Sequence, residues 1–537
     1  MAKVLVVGSG ASGVHFALTA LDKGHEVMML DVGYTQPAQP LAAATFDQLK
    51  EQLDDPVAYF LGPSAETVVY PSADAKYYGF PPSKRYVFAA PTTFAATGTG
   101  FEPLISFARG GLAEAWTGGV YAFNNDDLGD FPFEYAALER YYHTVARRIG
   151  ISAAQDDIAQ FSPWDPHYQE PLELDTHAER LLNRYAMRRE HLNGRLEFYL
   201  GRSRVATLSR DHQGREACDY LGRCLWGCPR NSIYAPSTTL DELQGRSGFR
   251  YLPGMLAEHL SYDSSGRMTA LVATALDEGR RHTFTADRYV LAAGTLCTAK
   301  LILDSVYRAT GRVERLHGLM DNRQIMMPFV NTSLLGHPVN SATYQFHQLA
   351  LGIRAEQARA YVHGQITTLK ASAVHPIIQN IPLDLRASRR LFRTAHAALG
   401  VANVWLHDER RHDNFVTIRP IEGTDRTELV IRYASEPPGE TQRLMRVKRT
   451  LRKSLRQLGC FVPPGMTQVL PRGSSVHYAG TMPMAARPTP LACSPSCQSY
   501  DFENLYVVDG SVLPFLPAKN LTFTLMANAA RVADVML

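Results

Sequence analysis
Apolar positions along the chain follow two periods. Val4 to Val7 is an unbroken apolar run inside Lys3 to Val7 and reads as a short buried strand. His15 to Lys23 has helical spacing, and Glu26 to Leu30 reads as a second strand ending in Asp31. The helical period returns from Thr441 to Leu458, where Leu444, Val447, Leu451, Leu455 and Leu458 mark one face and arginines and lysines crowd the other positions. A period of two predicts strands over Thr343 to Gln348, Asn403 to His407, Phe415 to Arg419 and Leu429 to Tyr433. The last two are joined by the turn-rich link Glu422-Gly423-Thr424-Asp425. Across Val401 to His407 the alternation sets Asn403, Trp405 and His407 on one face and Val404 and Leu406 on the other.

Between the first strand and the first helix lies Gly8-Ser9-Gly10-Ala11-Ser12-Gly13. Gly8 permits a tight turn, Gly10 lets the backbone approach a pyrophosphate, and Gly13 lets the helix pack on the sheet. The N–H groups of the first helical turn, Ser12 included, then face the phosphates. Asp31 stands 18 residues beyond Gly13, at the end of the second strand, where a carboxylate accepts hydrogen bonds from adenosine ribose hydroxyls. An Asp there argues against a 2′-phosphate. Strand, turn, helix and acid together predict a bound dinucleotide.

Composition narrows the partner. Of 537 residues, 45% are hydrophobic and 20% charged, and 55 basic side chains balance 52 acidic ones, so no polyelectrolyte field is available to attract nucleic acid. A chain of this length holds roughly two or three domains. No apolar stretch approaches the ~20 residues of a membrane span. The N-terminus runs from Met1 into the first strand without a basic leader or cleavage site, which reads as leaderless and cytoplasmic. Seven cysteines in such a chain do not make a disulfide scaffold, and Cys493 and Cys497 read as reduced thiols.

Four separated segments resemble the glucose-methanol-choline family of FAD-dependent oxidoreductases. The first is the glycine fingerprint. The second, Ala108-Arg109-Gly110-Gly111-Leu112-Ala113-Glu114-Ala115-Trp116-Thr117-Gly118-Gly119, is similar to the family's flavin-covering loop. The third is Tyr289-Val290-Leu291-Ala292-Ala293-Gly294. The fourth joins His477-Tyr478-Ala479-Gly480-Thr481, Leu505 to Ser511 with Asp509 and Gly510, and Asn520-Leu521-Thr522-Phe523-Thr524.

The resemblance implies an α/β fold with a discontinuous Rossmann-like FAD-binding domain over residues 1–35, 90–130, 205–310 and 474–537. Residues 36–89, 131–204 and 311–473 form a substrate domain built on an antiparallel sheet with flanking helices. It places Arg109, Gly110, Gly111, Trp116, Gly118, Gly119, Ala293, Gly294, Asp509, Gly510, Leu521 and Thr522 at the FAD, beside Gly8, Gly10, Ser12, Gly13 and Asp31. It makes His477 the base that removes a hydroxyl proton during hydride transfer, and Asn520 its partner. The position of the family's flavin-linking histidine is Ala115 here, so FAD is expected to be noncovalent. Leu521 replaces a usual proline, and Met482-Pro483-Met484 an Arg-Met-Gly.

The expected reaction is oxidation of a polar, sugar- or polyol-like alcohol, with the electron acceptor undetermined. A redox-neutral isomerase or lyase using the same His/Asn pair is the alternative. Aromatic and amide side chains alternating on one strand face suit a polyol, which makes Asn403, Trp405 and His407 substrate-side candidates. Cys218, Cys224 and Cys228 lie close enough in sequence to converge on one metal centre. The favoured reading is a Gly-Pro turn with packed thiols, and an iron-sulfur cluster is its alternative.

Overall fold
The computed structural model describes residues 1–36, 43–62, 81–369, 378 and 381–536. The N-terminal pattern forms the strand Lys3–Val7, the helix Ala11–Asp22 and the strand Glu26–Leu30. These sit in a five-stranded sheet ordered Leu505–Val507, Arg288–Leu291, Lys3–Val7, Glu26–Leu30, Phe249–Leu252, parallel throughout. A parallel sheet is covered on both faces, so its strands must be apolar on both. Val4, Leu5, Val6, Val290 and Leu291 accordingly lie in the main core. The first helix packs against the C-terminal helix Thr522–Val535, while the helix Thr295–Thr310 packs on the antiparallel strand Met255–Tyr262. One domain is thus assembled from both ends and the middle of the chain.

A second, antiparallel sheet caps this domain. Its order is Cys460–Phe461, Arg323–Asn331, Leu399–Leu406, Val362–Thr368, Leu349–Ile353, Phe198–Arg202, with Gln468–Val469 also paired to Arg323–Asn331. One face is apolar: Ile325, Met327, Val404, Leu406, Ile366 and Leu351 form a core with Leu181 and Tyr185 of the helix Thr176–Leu196 and with Val447, Leu451 and Leu455 of the helix Glu440–Gln457. The opposite face is polar and aromatic. Register alignment gives it two cross-strand rows, Gln324–Trp405–His363 and Met326–Asn403–Gln365. This face meets Asn520 through Gln365 and His477 through Trp405.

Two sequence expectations need correction. Thr343 to Gln348 is not a strand; pairing begins at Leu349. Tyr344 and Phe346 are buried in a separate small cluster, and the polar residues bond outside any sheet ladder, with Gln345 Oε1 accepting from Leu225 N (2.8 Å) and His347 Nε2 meeting Thr117 Oγ1 (2.6 Å). Alternation there reflects packing without backbone pairing. The hairpin Asn414–Pro420 with Thr427–Tyr433 does form, but not in the capping sheet. It joins Ala95–Thr99 and Arg315–His317 in a four-stranded sheet, and Val416, Ile418, Leu429 and Ile431 belong to the same core as the parallel sheet.

Candidate active site
The glycine turn opens onto a cavity of about 910 Å³. Gly8 adopts φ +102°, where a Cβ would come within 2.6 Å of the Ala292 carbonyl oxygen. A Cβ on Gly13 would clash with the Gly8 carbonyl, so the first helix approaches the turn only with glycine there. Gly10 caps that helix without a side-chain hydrogen bond, leaving first-turn N–H groups for a ligand. Asp31 borders the same cavity and is held by Ser9 Oγ and Tyr251 OH, while burial pushes its carboxyl up to about 6. Ser9 Oγ also accepts from Gly110 N (2.9 Å), tying the second glycine loop to the turn.

Of the other cofactor candidates, Ser12, Gly111, Ala293 and Gly294 line the cavity, as do Asp509, Gly510, Leu521 and Thr522. Asp509 accepts from Gly294 N (3.0 Å), Thr298 Oγ1 (2.5 Å) and Ser511 N (3.0 Å), which ties the start of the helix Thr295–Thr310 to the Asp509–Ser511 turn. Five candidates stand outside the lining. Arg109 donates to Asp241 (2.5 Å) and Gln244 (3.0 Å) of the helix Pro236–Gln244, and Trp116 Nε1 donates to Tyr234 O (2.7 Å). Gly110 and Gly118 shape the loop with φ +89° and +72°. Gly119 lies elsewhere again: a Cβ there would meet Gln365 Nε2 at 2.6 Å and Asn520 Oδ1 at 3.1 Å.

His477 sits in a turn whose geometry is imposed. The carboxylate of Asp321 accepts from Gly473 N (3.0 Å) and Ser475 Oγ (2.5 Å), and Ser475 Oγ accepts from His477 N (3.0 Å). Val476 is driven to φ +61°, a region that β-branched residues avoid. The imidazole is then fixed by Asn322. Asn322 Nδ2 donates to Leu406 O (2.9 Å) and Pro517 O (3.0 Å), so its Oδ1 must be the acceptor toward His477 Nδ1 (2.9 Å). The proton resides on Nδ1, and the Nε2 lone pair has no partner among the described residues. Burial pulls this imidazole down to about 4, which keeps it neutral.

Asn520 is oriented by the same logic. Gln365 Nε2 donates to Asn520 Oδ1 (3.2 Å), which leaves Asn520 Nδ2 as an unpartnered donor. The preceding Lys519 is 1% exposed, ion-paired with Asp127 and bonded to Phe161 O, and so anchors the loop. His477 and Asn520 each meet the polar face of the capping sheet: the Trp405 and His477 ring centroids are 6.1 Å apart, and Asn520 is held by Gln365 on the strand beside Trp405. Val476, Tyr478, Leu521 and Thr522, their chain neighbours, line the large cavity. The tautomer-setting Asn322 and the orienting Gln365 carried no sequence signal, because Asn322 acts from the link between two strands and Gln365 from a strand, both remote in the chain.

The remaining candidates divide. Trp405 and Asn403 occupy the polar face, whereas His407 lies past the strand end, bonded by Arg443 and packed on Phe515. Cys218, Cys224 and Cys228 are free thiols, with Cys218 and Cys224 packed on Tyr344 and Phe346. Among the described residues, the group of metal-capable side chains whose ligand atoms all lie within 4.8 Å is instead His143, Asp165 and His167. Cys493 and Cys497 are buried and unbridged.

A cavity that runs from a glycine turn on a parallel sheet to the chain neighbours of His477 and Asn520 has the build of a nucleotide-binding α/β protein. A family model described as GMC oxidoreductase matches residues 410–529. The 6'''-hydroxyparomomycin C oxidase of Streptomyces lividus is 23% identical over 425 residues, 75% of this chain and 71% of that protein. The 2-methyl-1,2-propanediol dehydrogenase of Mycolicibacterium austroafricanum is 23% identical over 561 aligned positions, covering 99% and 94%. Pyridoxine 4-oxidase from Mesorbium loti shares the fold with a TM-score of 0.59 at 16% identity, covering 99% of this chain and 98% of that one. An FAD-dependent oxidoreductase from Chaetomium thermophilum does so at 0.57 and 13%, covering 100% and 99%. The chain is thus similar to the glucose-methanol-choline (GMC) oxidoreductases, by the family match over residues 410–529 and by two relatives, an oxidase and a dehydrogenase, that align over most of its length.

Proposed function
We propose that this enzyme oxidises a hydroxyl-bearing carbon of a small, polar, polyol-like alcohol, with His477 as the base and Asn520 as the oxygen-binding partner. One observation carries the reading: two separate amides leave complementary atoms open. Asn322 reserves the His477 Nε2 lone pair for a proton, and Gln365 reserves the Asn520 Nδ2 hydrogens for an oxygen. An alcohol O–H needs one acceptor for its hydrogen and one donor for its oxygen, and this pair supplies both.

FAD fits the large cavity, where Gly8, Gly10, Asp31 and the bare start of the first helix would hold its adenosine diphosphate half, and when bound it supplies the hydride acceptor. The C-terminal helix begins at Thr522 without a side-chain cap, so its N-terminal N–H groups favour negative charge at that end of the cavity. His477 takes the hydroxyl proton on Nε2 and becomes an imidazolium whose Nδ1–H stays on Asn322. Asn520 holds the alcohol oxygen through the charge change. With Ala115 at the linking position, FAD is held noncovalently, and acid precipitation should leave the yellow colour in the supernatant.

The test is His477→Ala, examined anaerobically with a panel of sugars, polyols and secondary alcohols that bleach the wild-type protein. The variant should keep its flavin and lose about 10²- to 10⁴-fold in the rate of flavin reduction. Undiminished reduction would remove His477 from the chemistry.

A further inference from the structure
The helix Leu385–Ala395 stands apart from the cores that hold the rest of the chain. Only Ser388 and Phe392 are buried along its 11 residues, and Phe392 packs on His396 outside both main cores. A helix this short is marginal in water unless a tertiary partner covers its apolar side. Yet Leu385 is 67% and Leu391 50% exposed, and Leu383, just before the helix, is exposed as well. At about 100° per residue the two leucines flank the buried Ser388–Phe392 line, while Arg386, Arg389, Arg390 and Arg393 fill the adjoining arc.

Neighbouring segments extend this surface. Gly336 N donates to Thr394 O (2.8 Å), which seats the exposed Leu335 beside the helix. Thr332 N donates to Gly459 O (3.3 Å), which brings in the exposed Phe461 and the end of the helix Glu440–Gln457, with Lys453 and Arg456. All six of these cations are exposed, and none is ion-paired among the described residues. Residues 332–336 and 452–466 contain no acid, and Asp384 is spent as the helix cap on Ala387 N (3.0 Å). A chain of 55 basic and 52 acidic side chains has thus gathered an unopposed positive patch at one end of the capping sheet, with leucines set into it.

Charge and apolarity together select the partner. A nucleic acid would use the arginines and leave the leucines in water. A second copy of this chain meeting the same face would set arginine against arginine. An anionic bilayer uses both: lipid phosphates take the guanidinium groups, and the leucines enter the boundary between headgroups and acyl chains.

We propose that this end of the capping domain is a peripheral membrane-docking surface, with the helix Leu385–Ala395 lying on a bilayer that contains anionic lipid. The contact is reversible and needs no spanning segment, because its strength comes from the apolar area buried and from attraction to lipid charge.

The experiment sediments the flavin-loaded enzyme at low ionic strength with vesicles of phosphatidylcholine alone or of phosphatidylcholine mixed with phosphatidylglycerol. The mixed vesicles should bind at least about tenfold more tightly, and salt at about 0.5 M should remove most of the difference. Leu385→Ser with Leu391→Ser, and Arg389→Gln with Arg393→Gln, should each weaken binding at least about fivefold. Flavin content and melting temperature should stay unchanged, because all four side chains are exposed. In Leu391→Trp the added tryptophan emission should shift to the blue on the mixed vesicles. Equal affinity for the two vesicles, none for either included, overturns the surface, as does an unshifted emission. Binding that survives either double substitution overturns it too, and loss with the arginines alone marks a purely ionic surface, as for an acidic protein.

Discussion
The most consequential residue outside the family pattern is Asn322, because it decides which nitrogen of His477 is basic. Its two carbonyl acceptors force Oδ1 toward Nδ1, and the depressed basicity of the buried ring keeps Nε2 unprotonated from neutral pH down to about 4. A lowered histidine pKa means that activity is lost only as pH falls through that low value. The acid limb of the flavin-reduction rate, followed by stopped flow, should therefore lie well below the ordinary histidine value of 6.5. Asn322→Asp places a carboxylate on Nδ1, stabilises the imidazolium, and should move that limb upward by about 1–3 pH units. Asn322→Ala frees the ring to adopt the other tautomer and should slow reduction about 10- to 100-fold with flavin content unchanged. An unmoved acid limb in the Asp variant would show that the Nδ1 contact does not govern the base.

Elements hold these residues by ends and edges more than by their middles. The C-terminal helix carries no reacting group, yet the loop that enters it delivers Asn520, and Lys519 with Asp127 pins that loop in the interior. Asp127→Leu leaves an ammonium buried and unpaired and should cost about 3–5 kcal/mol in urea unfolding, whereas Asp127→Asn keeps an acceptor and should cost less. At the other end of the chain, Gly13→Ala drives a methyl into the Gly8 carbonyl and should lower flavin content with little change in far-ultraviolet circular dichroism. The helix Glu440–Gln457 shows the opposite case. Its apolar stripe is buried on the capping sheet while Arg446, Arg449, Arg452, Lys453 and Arg456 are exposed, as its spacing in the chain implies.

At the scale of the whole molecule, burial acts on several histidines at once. His347 and His407 are pulled down to about 3 and His477 to about 4, each chiefly by loss of water, so all three stay neutral in the folded state. Below pH 6.5 the unfolded chain binds protons that the folded one refuses. Stability therefore falls with acidification, by about 1.4 kcal/mol per pH unit for each such group until its own folded value is reached. Asp31 and Asp321, raised by burial to about 6 and about 7, act in the opposite sense, so melting temperature measured from pH 7.5 to 4.5 should fall below about 6.5 with part of that slope offset. Among the described residues no helix is long and apolar enough to cross a membrane.

Much of this architecture was legible before folding because local rules suffice for it. A glycine turn between strand and helix has one use at that spacing, and an apolar stripe at helical period must find a core. The strands Leu399–Leu406, Asn414–Pro420 and Thr427–Tyr433 were equally plain from alternation, whereas their distribution between two sheets was not. Alternation says which side chains share a face, but not which neighbouring strand completes the ladder, so Thr343 to Gln348 carried the pattern of a strand without becoming one. The atoms that orient His477 and Asn520 were decided by tertiary structure alone. Asn322 reaches His477 across 155 positions and Gln365 reaches Asn520 across another 155, and a hydrogen bond between side chains leaves no periodic trace along the backbone.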